Sequence, residues 1–198
     1  LSFSDLPNSL QKELSKMKTF LTRRRLGPQE APIANVTANK YEEHIRGICG
    51  WLVKEKEYKV EDLKSLSMLF PSMKASAADV TFDYLQYLTV ERGISANYEL
   101  LITRSCIATA KFMYGAKSKF QPGEDALPYQ DIPLIKELRR LAKDAKSRAS
   151  KSPLMSNEKL KWLDWGDYLQ GCDILKDEMA NGPSRIQSTR GRSGSRDK

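Results

Sequence analysis

The sequence predicts an all-α protein, and three observations carry the prediction. Apolar residues recur at spacings of three and four in one stretch after another, capping residues and Gly or Pro stops divide the stretches, and no alternation of useful length marks a strand. The first helix is expected from about Asn8 to Arg25, where Leu10, Leu14, Met17 and Leu21 form one stripe before Gly27 and Pro28 end it. Gly27 to Val36 holds two prolines and no periodicity, which makes it a connector. Thr37 is the expected N-cap of a second helix reaching about Lys56, with Tyr41, Ile45, Ile48 and Leu52 inward and Cys49 and Trp51 widening the stripe.

Val60 to Phe70 carries Leu63, Leu66 and Leu69 and predicts two or three helical turns before Pro71. From Ser76 to Arg92, Val80, Tyr84, Leu85 and Leu88 mark another amphipathic helix, and Gly93 supplies a left-handed stop. Ser95 then caps a helix over Ala96 to Lys117. Leu100, Leu101, Ile102, Ile107, Ala108, Phe112 and Met113 make it apolar round most of its circumference, so it is expected at the centre of a bundle. Arg104 and Lys111 interrupt that apolar surface. Residues 118–130 hold Pro122, Gly123 and Pro128 and read as a linker. Asp131 is expected to cap a helix opening at Pro133 and running to about Ala149, with Leu134, Ile135, Leu138, Leu141 and Ala142 on one side. A last helix is expected over Glu158 to Ala180, its ridge formed by Trp162, Trp165, Leu169, Cys172 and Leu175. The expected organisation is a bundle over residues 1–117, the linker, a helical extension or start of a second domain over 131–180, and a tail over 181–198. That tail is too poor in apolar side chains to offset its ordering entropy and is expected to be disordered.

Composition narrows the function. The chain has 198 residues, with 33 Lys or Arg against 25 Asp or Glu, a net charge of +8. No stretch approaches the roughly 18 to 20 unbroken apolar residues of a membrane span, so no membrane role is expected. Leu1 stands where a start methionine would, without a charged and apolar leader behind it, so a fragment or processed product is expected and not a secretory precursor. Cys49, Cys106 and Cys172 form no Cys-x-x-Cys pair, and free cysteines of this kind are expected to be small buried apolar groups. His44 is the one histidine, so neither a histidine metal site nor a paired-histidine catalytic centre can be assembled. No cofactor is expected.

The positive charge is concentrated. Residues 11–25 carry Lys12, Lys16, Lys18, Arg23, Arg24 and Arg25 against Glu13, a net of +5. Residues 136–151 carry seven bases, among them Arg139, Arg140 and Lys143, against Glu137 and Asp144, again +5. With +4 on residues 182–198, the rest of the chain must be acidic at −6 to reach the whole-chain +8. Such polarisation is the footprint of a polyanion partner. A sheet with stacking aromatics, as sequence-specific RNA modules use, is not in view, so double-stranded DNA gripped by helices is the better match.

The order of helices, caps and turns resembles a known arrangement. "TANKYEEHIRGICGWL", "EDLKSLSMLF", "VTFDYLQYLTVERG" and "ISANYELLITRSCIATAKFMY" resemble, over Leu6 to Lys117, the N-terminal SAM-like core-binding domain of tyrosine recombinases and phage-type integrases. "DIPLIKELRRLAKDAKSR" and "KLKWLDWGDYLQGCDILKDE" are similar to the inter-domain region of eukaryotic integrase-like proteins. The resemblance implies an orthogonal four- to five-helix SAM-like bundle that forms half of a clamp on duplex DNA, as in the DNA integration and recombination of a mobile element. It implies DNA contacts from Thr37, Lys40 and His44 on the outer face of the Thr-capped helix, and from Ser95, Asn97, Arg104 and Lys111 on the Ser-capped one. Arg and Lys suit phosphates because each contact releases counterions, and a capped helix start offers its amides to an anion.

The departures from that family matter as much. Its catalysis needs a Tyr nucleophile with two Arg, a Lys and a His from a following domain, whereas only about 80 residues follow Lys117, no His-x-x-Arg occurs and the one His lies in the first domain. This chain is therefore not expected to cleave DNA, and is expected to be intracellular, in a nucleus or nucleoid, with self-association on DNA as a further expectation. The alternative is a helical protein-interaction or RNA-associated scaffold module, with Trp162 and Trp165 as its docking ridge.

Overall fold

The computed structural model describes residues 1–23, 31–119, 128–151 and 165–190, and side chains only to 180 in the last stretch. The described residues are helical, without a strand. They form α1 (Asn8–Thr22), α2 (Asn35–Glu55), α3 (Asp79–Arg92), α4 (Ala96–Tyr114), α5 (Pro133–Lys151) and α6 (Trp165–Arg190), with short 3-10 turns between. The chain divides into two compact units, Leu1–Ser152 and Pro153–Lys198.

The first unit is built round α4. Its Ile102, Cys106 and Ala110 are sealed among Leu10, Leu14 and Met17 of α1, Ile45, Ile48 and Leu52 of α2, Leu85 and Leu88 of α3, and Leu134, Ile135 and Leu138 of α5. A helix enclosed on so many sides must also bury polar side chains, and α4 satisfies them internally. The hydroxyls of Thr103, Ser105 and Thr109 donate to the carbonyls of Glu99, Leu101 and Ser105 at 2.8, 3.0 and 2.9 Å. Leu101 alone of its expected apolar positions is exposed, on the same side of α4 as Arg104.

Several element ends differ from expectation for local reasons. The cap of α2 is Ala34, so Thr37 sits in the first turn of the helix instead of before it. Nothing in Asn35 or Val36 breaks a helix, and the turn extends back to the extended residues that follow Pro32. Residues 60–70 form two separate 3-10 turns, Val60–Asp62 and Leu66–Met68. Leu63, Leu66 and Leu69 recur every third residue, the period of a 3-10 turn, and all three are buried. Gly93 is left-handed at φ 58°, as expected, and closes α3 with amide bonds from its backbone to the last turn. Asp131 does not cap α5: its carboxylate accepts from Ser118 Oγ at 2.7 Å and Lys119 N at 2.6 Å, which ties α4's exit to α5's start. The first-turn amide of Leu134 donates to Met73 O instead.

The largest difference is α5, which belongs to the first unit, so the chain does not divide in the expected linker over 118–130. It lies antiparallel along α4, because Ile132, Leu134, Ile135 and Leu138 complete the same core that α1 to α4 leave open. At its far end Arg148 donates to both carboxylate oxygens of buried Glu99 at 2.8 and 2.6 Å, clamping the end of α5 to the start of α4. Arg148→Ala leaves that carboxylate without its two donors and is expected to cost about 2 kcal/mol, held down by the guanidinium's own contact with water. Chemical denaturation of Arg148→Ala, Glu99→Ala and the double variant checks it, the double variant costing less than the two singles together.

The final helix runs on to Arg190. Pro183 removes one ladder bond, but a helix already nucleated by upstream turns gains a bond with each added residue, and Arg185, Gln187 and Arg190 favour it. Residues 191–198 lie outside the described residues. Trp162 and the start of the last expected helix do so too.

Candidate nucleic-acid interface

The Arg104 and Lys111 side of α4 forms the floor of a cleft in the first unit, about 290 Å³ in volume. Ile107, Ala108, Arg104 and Lys111 come from α4, Phe20 and Leu21 from α1, Tyr41 from α2 and Arg139 from α5. Arg23, Ala31, Pro32, Ile33 and Tyr129 complete the lining from the connecting segments. Four cations, Arg23, Arg104, Lys111 and Arg139, thus share one cleft, and among the described residues no carboxylate lines it. Arg104 and Arg23 are exposed, Lys111 and Arg139 half-buried.

Local structure fixes this rim. Arg139 donates to Pro128 O at 2.7 Å, holding the loop before α5 against the helix. Lys111 Nζ lies 5.8 Å from the ring centre of Tyr129, within the reach of a cation–π contact. Tyr129 adopts a left-handed backbone at φ 64°, a region that a bulky residue enters only where its surroundings over-determine it. The amide of Ile33 donates to Leu21 O at 3.0 Å, which returns the connector to the end of α1 and sets Ile33 in the cleft wall.

The other expected contact residues are sorted by the structure. Lys40 is exposed but paired with Glu43 at 2.7 Å, and Arg140 with Glu137 at 2.7 Å and Asp144 at 3.4 Å. Each pair holds the base's pKa above its ordinary value, through the carboxylate hydrogen bond first and its charge second. Lys143 is exposed on α5 outside the cleft, and Asn97 is exposed at the start of α4. Ser95 caps α4 as expected, its hydroxyl accepting from Tyr98 N at 3.3 Å. Thr37 is half-buried in the first turn of α2. Arg24 and Arg25 lie outside the described residues.

His44 is not on an outer face. It is buried between α2 and α4, where its Nδ1 lies 2.7 Å from Ser105 Oγ and its ring stands edge-on to Tyr98. The Ser105 hydroxyl also lies 3.0 Å from Leu101 O, and when it donates its one proton there the neutral imidazole donates from Nδ1. Burial lowers its pKa below 6.5, with Lys40 adding to that effect and Glu43 opposing it. A histidine whose folded pKa is depressed gives full stability above its unfolded value and loses it as pH falls from about 6.5 toward the folded value. Stability is therefore expected to drop on acidification through that window, at up to about 1.4 kcal/mol per pH unit. Because the chain has one histidine, urea midpoints between pH 5 and 7.5 should lose that component in His44→Gln.

Two of the cysteines are as inert as expected. Burial pushes the Cys49 and Cys106 thiols up to about 12. Cys172, by contrast, is half-buried on α6, whose expected ridge is largely open to solvent: Trp165, Leu169 and Leu175 are exposed. Trp165 finds a partner on its own helix, stacking on Tyr168 at 5.3 Å. Trp165→Ala is expected to change stability by less than about 0.5 kcal/mol, as thermal melts would show.

The sequence reading did not single out Phe20, Tyr41 or Tyr129 as site residues. Tyr41 follows the core spacing of α2, and Tyr129 ends a Pro- and Gly-rich connector, so no local signal distinguishes either. Among the described residues no group of three or more His, Cys, Asp or Glu is arranged to hold a metal ion, and no helix is long and apolar enough to cross a membrane. Compared with known proteins, the chain matches no family model, no curated protein and no solved structure.

Proposed function

We infer that this protein is a non-catalytic helical module that binds double-stranded DNA through the Arg104 and Lys111 side of α4, with the SAM-like core-binding domain of integrases as the arrangement it most resembles. The observation that carries this reading is the convergence of Arg23, Arg104, Lys111 and Arg139 round one cleft that no carboxylate lines among the described residues. Cations scattered as solvated helix faces pair with acids one turn away, as Lys40 and Arg140 do. Cations gathered from two helices and a connector raise the positive potential of one cleft, and that potential favours a polyanion. Lys143 and the basic residues of 182–198 add affinity that does not depend on the target sequence.

Titration of a labelled duplex across a salt series tests the reading. If about six phosphates are neutralised, log K falls with log salt at a slope near −5. A slope indistinguishable from zero overturns it. The second reading, a protein-interaction scaffold, is favoured by α6, which leaves Trp165, Ile174, Leu175 and Met179 exposed. It predicts that Trp165→Ala and Leu175→Ala abolish capture of a partner protein while duplex binding persists.

A further inference from the structure

We propose that the cleft receives a single unpaired nucleotide, its phosphate held by Arg23 and Arg104 and its base laid against Tyr129 and Ile107. This rests on the polyanion reading above and narrows it. A duplex keeps its bases stacked inside and shows a protein mainly phosphate and sugar along its flanks, so gripping it needs surface cations and no cavity. Here the cations surround a cleft of about 290 Å³, at the small end of the roughly 300–1,000 Å³ of small-molecule sites. A phosphate alone would leave the half-buried Phe20 and Ile33 of its walls facing water.

An unpaired nucleotide matches both halves of the surface. Its phosphate takes the exposed guanidiniums at the rim, and its base has a flat face for the Tyr129 and Tyr41 rings and apolar edges for the isoleucines. Tyr129 is held in its left-handed backbone beside Lys111, so the ring is presented to the cleft before any ligand arrives.

The test uses the full chain and two labelled probes, a blunt duplex and the same duplex with a 5′-phosphorylated three-nucleotide overhang. The overhang probe is expected to bind about tenfold tighter, the scale of stacking one base on an aromatic ring. Adenosine 5′-monophosphate should compete for the overhang at a concentration where inorganic phosphate does not, and its success as a free ligand shows that the nucleotide need not be part of a strand. Ala108→Leu fills the cleft without altering its charge and should abolish the preference, the two probes then binding with equal affinity. Should that variant fail to fold, Tyr129→Asn reads the same step, because Asn tolerates the left-handed backbone and removes the ring.

Equal, salt-dependent binding of the two probes overturns the inference and leaves duplex binding standing. So does a preference that survives both variants, or competition by phosphate as strong as by the nucleotide. Failure of both probes to bind in a salt-dependent way overturns the duplex reading and this inference together.

Discussion

Reversing two charges at the cleft, Arg23→Glu with Arg104→Glu, is expected to weaken duplex binding by about two orders of magnitude at moderate salt and to flatten the salt slope by about 2. Each phosphate contact releases its share of condensed counterions, and losing a contact removes close to one unit from the slope of log K against log salt. The glutamates then add repulsion where attraction stood. The measurement needs a matched control, because the double reversal also takes the net charge from +8 to +4. Lys40→Glu with Arg140→Glu makes the same change in net charge at two bases that Glu43, Glu137 and Asp144 already partner. If location matters, the cleft variant loses far more affinity than the control; equal losses would mean that net charge alone governs binding and would remove the cleft from the account.

The largest effect on stability is expected at α5. Leu138 is fully buried against the α1–α4 core, and Leu138→Ala is expected to cost about 3 kcal/mol through lost burial and the cavity left behind. For a chain of this size that corresponds to a fall in Tm of roughly 6–12 °C. A helical extension loosely appended to a finished bundle would lose far less, within about 0.5 kcal/mol as exposed substitutions do. Thermal melts of Leu138→Ala beside Leu14→Ala, a residue of α1 with the same burial, therefore measure whether α5 is a member of the core. The consequence reaches the cleft, since Arg139 follows Leu138 directly and takes its place in the rim from the seating of α5.

The helices and their inner faces were legible in the residues alone. The spacings Leu10, Leu14, Met17 and Ile45, Ile48, Leu52 sit in the core as read, the Ser95 hydroxyl caps α4, and Gly93, having no Cβ, takes the left-handed stop of α3. These are local matters, because the backbone's period and its unsatisfied end groups decide them within a turn or two. The overall charge imbalance was equally plain. What only the tertiary structure decided was which elements share a core and which charges share a place. Residues 118–130 have a linker's composition, yet α5 beyond them is in the core, since burial depends on whether α1 to α4 leave an apolar surface open, and no local pattern records that. His44 lay on a polar-looking helix position and is buried, because Ser105, 61 residues away, gives its ring a partner. Lys40 and Arg140 looked equivalent to Arg104 until their neighbours were known. A carboxylate one turn away partners the first two, while Arg104 joins Arg23, Lys111 and Arg139 because α1, α4 and α5 converge there, and charge acts through distance in space, not in sequence.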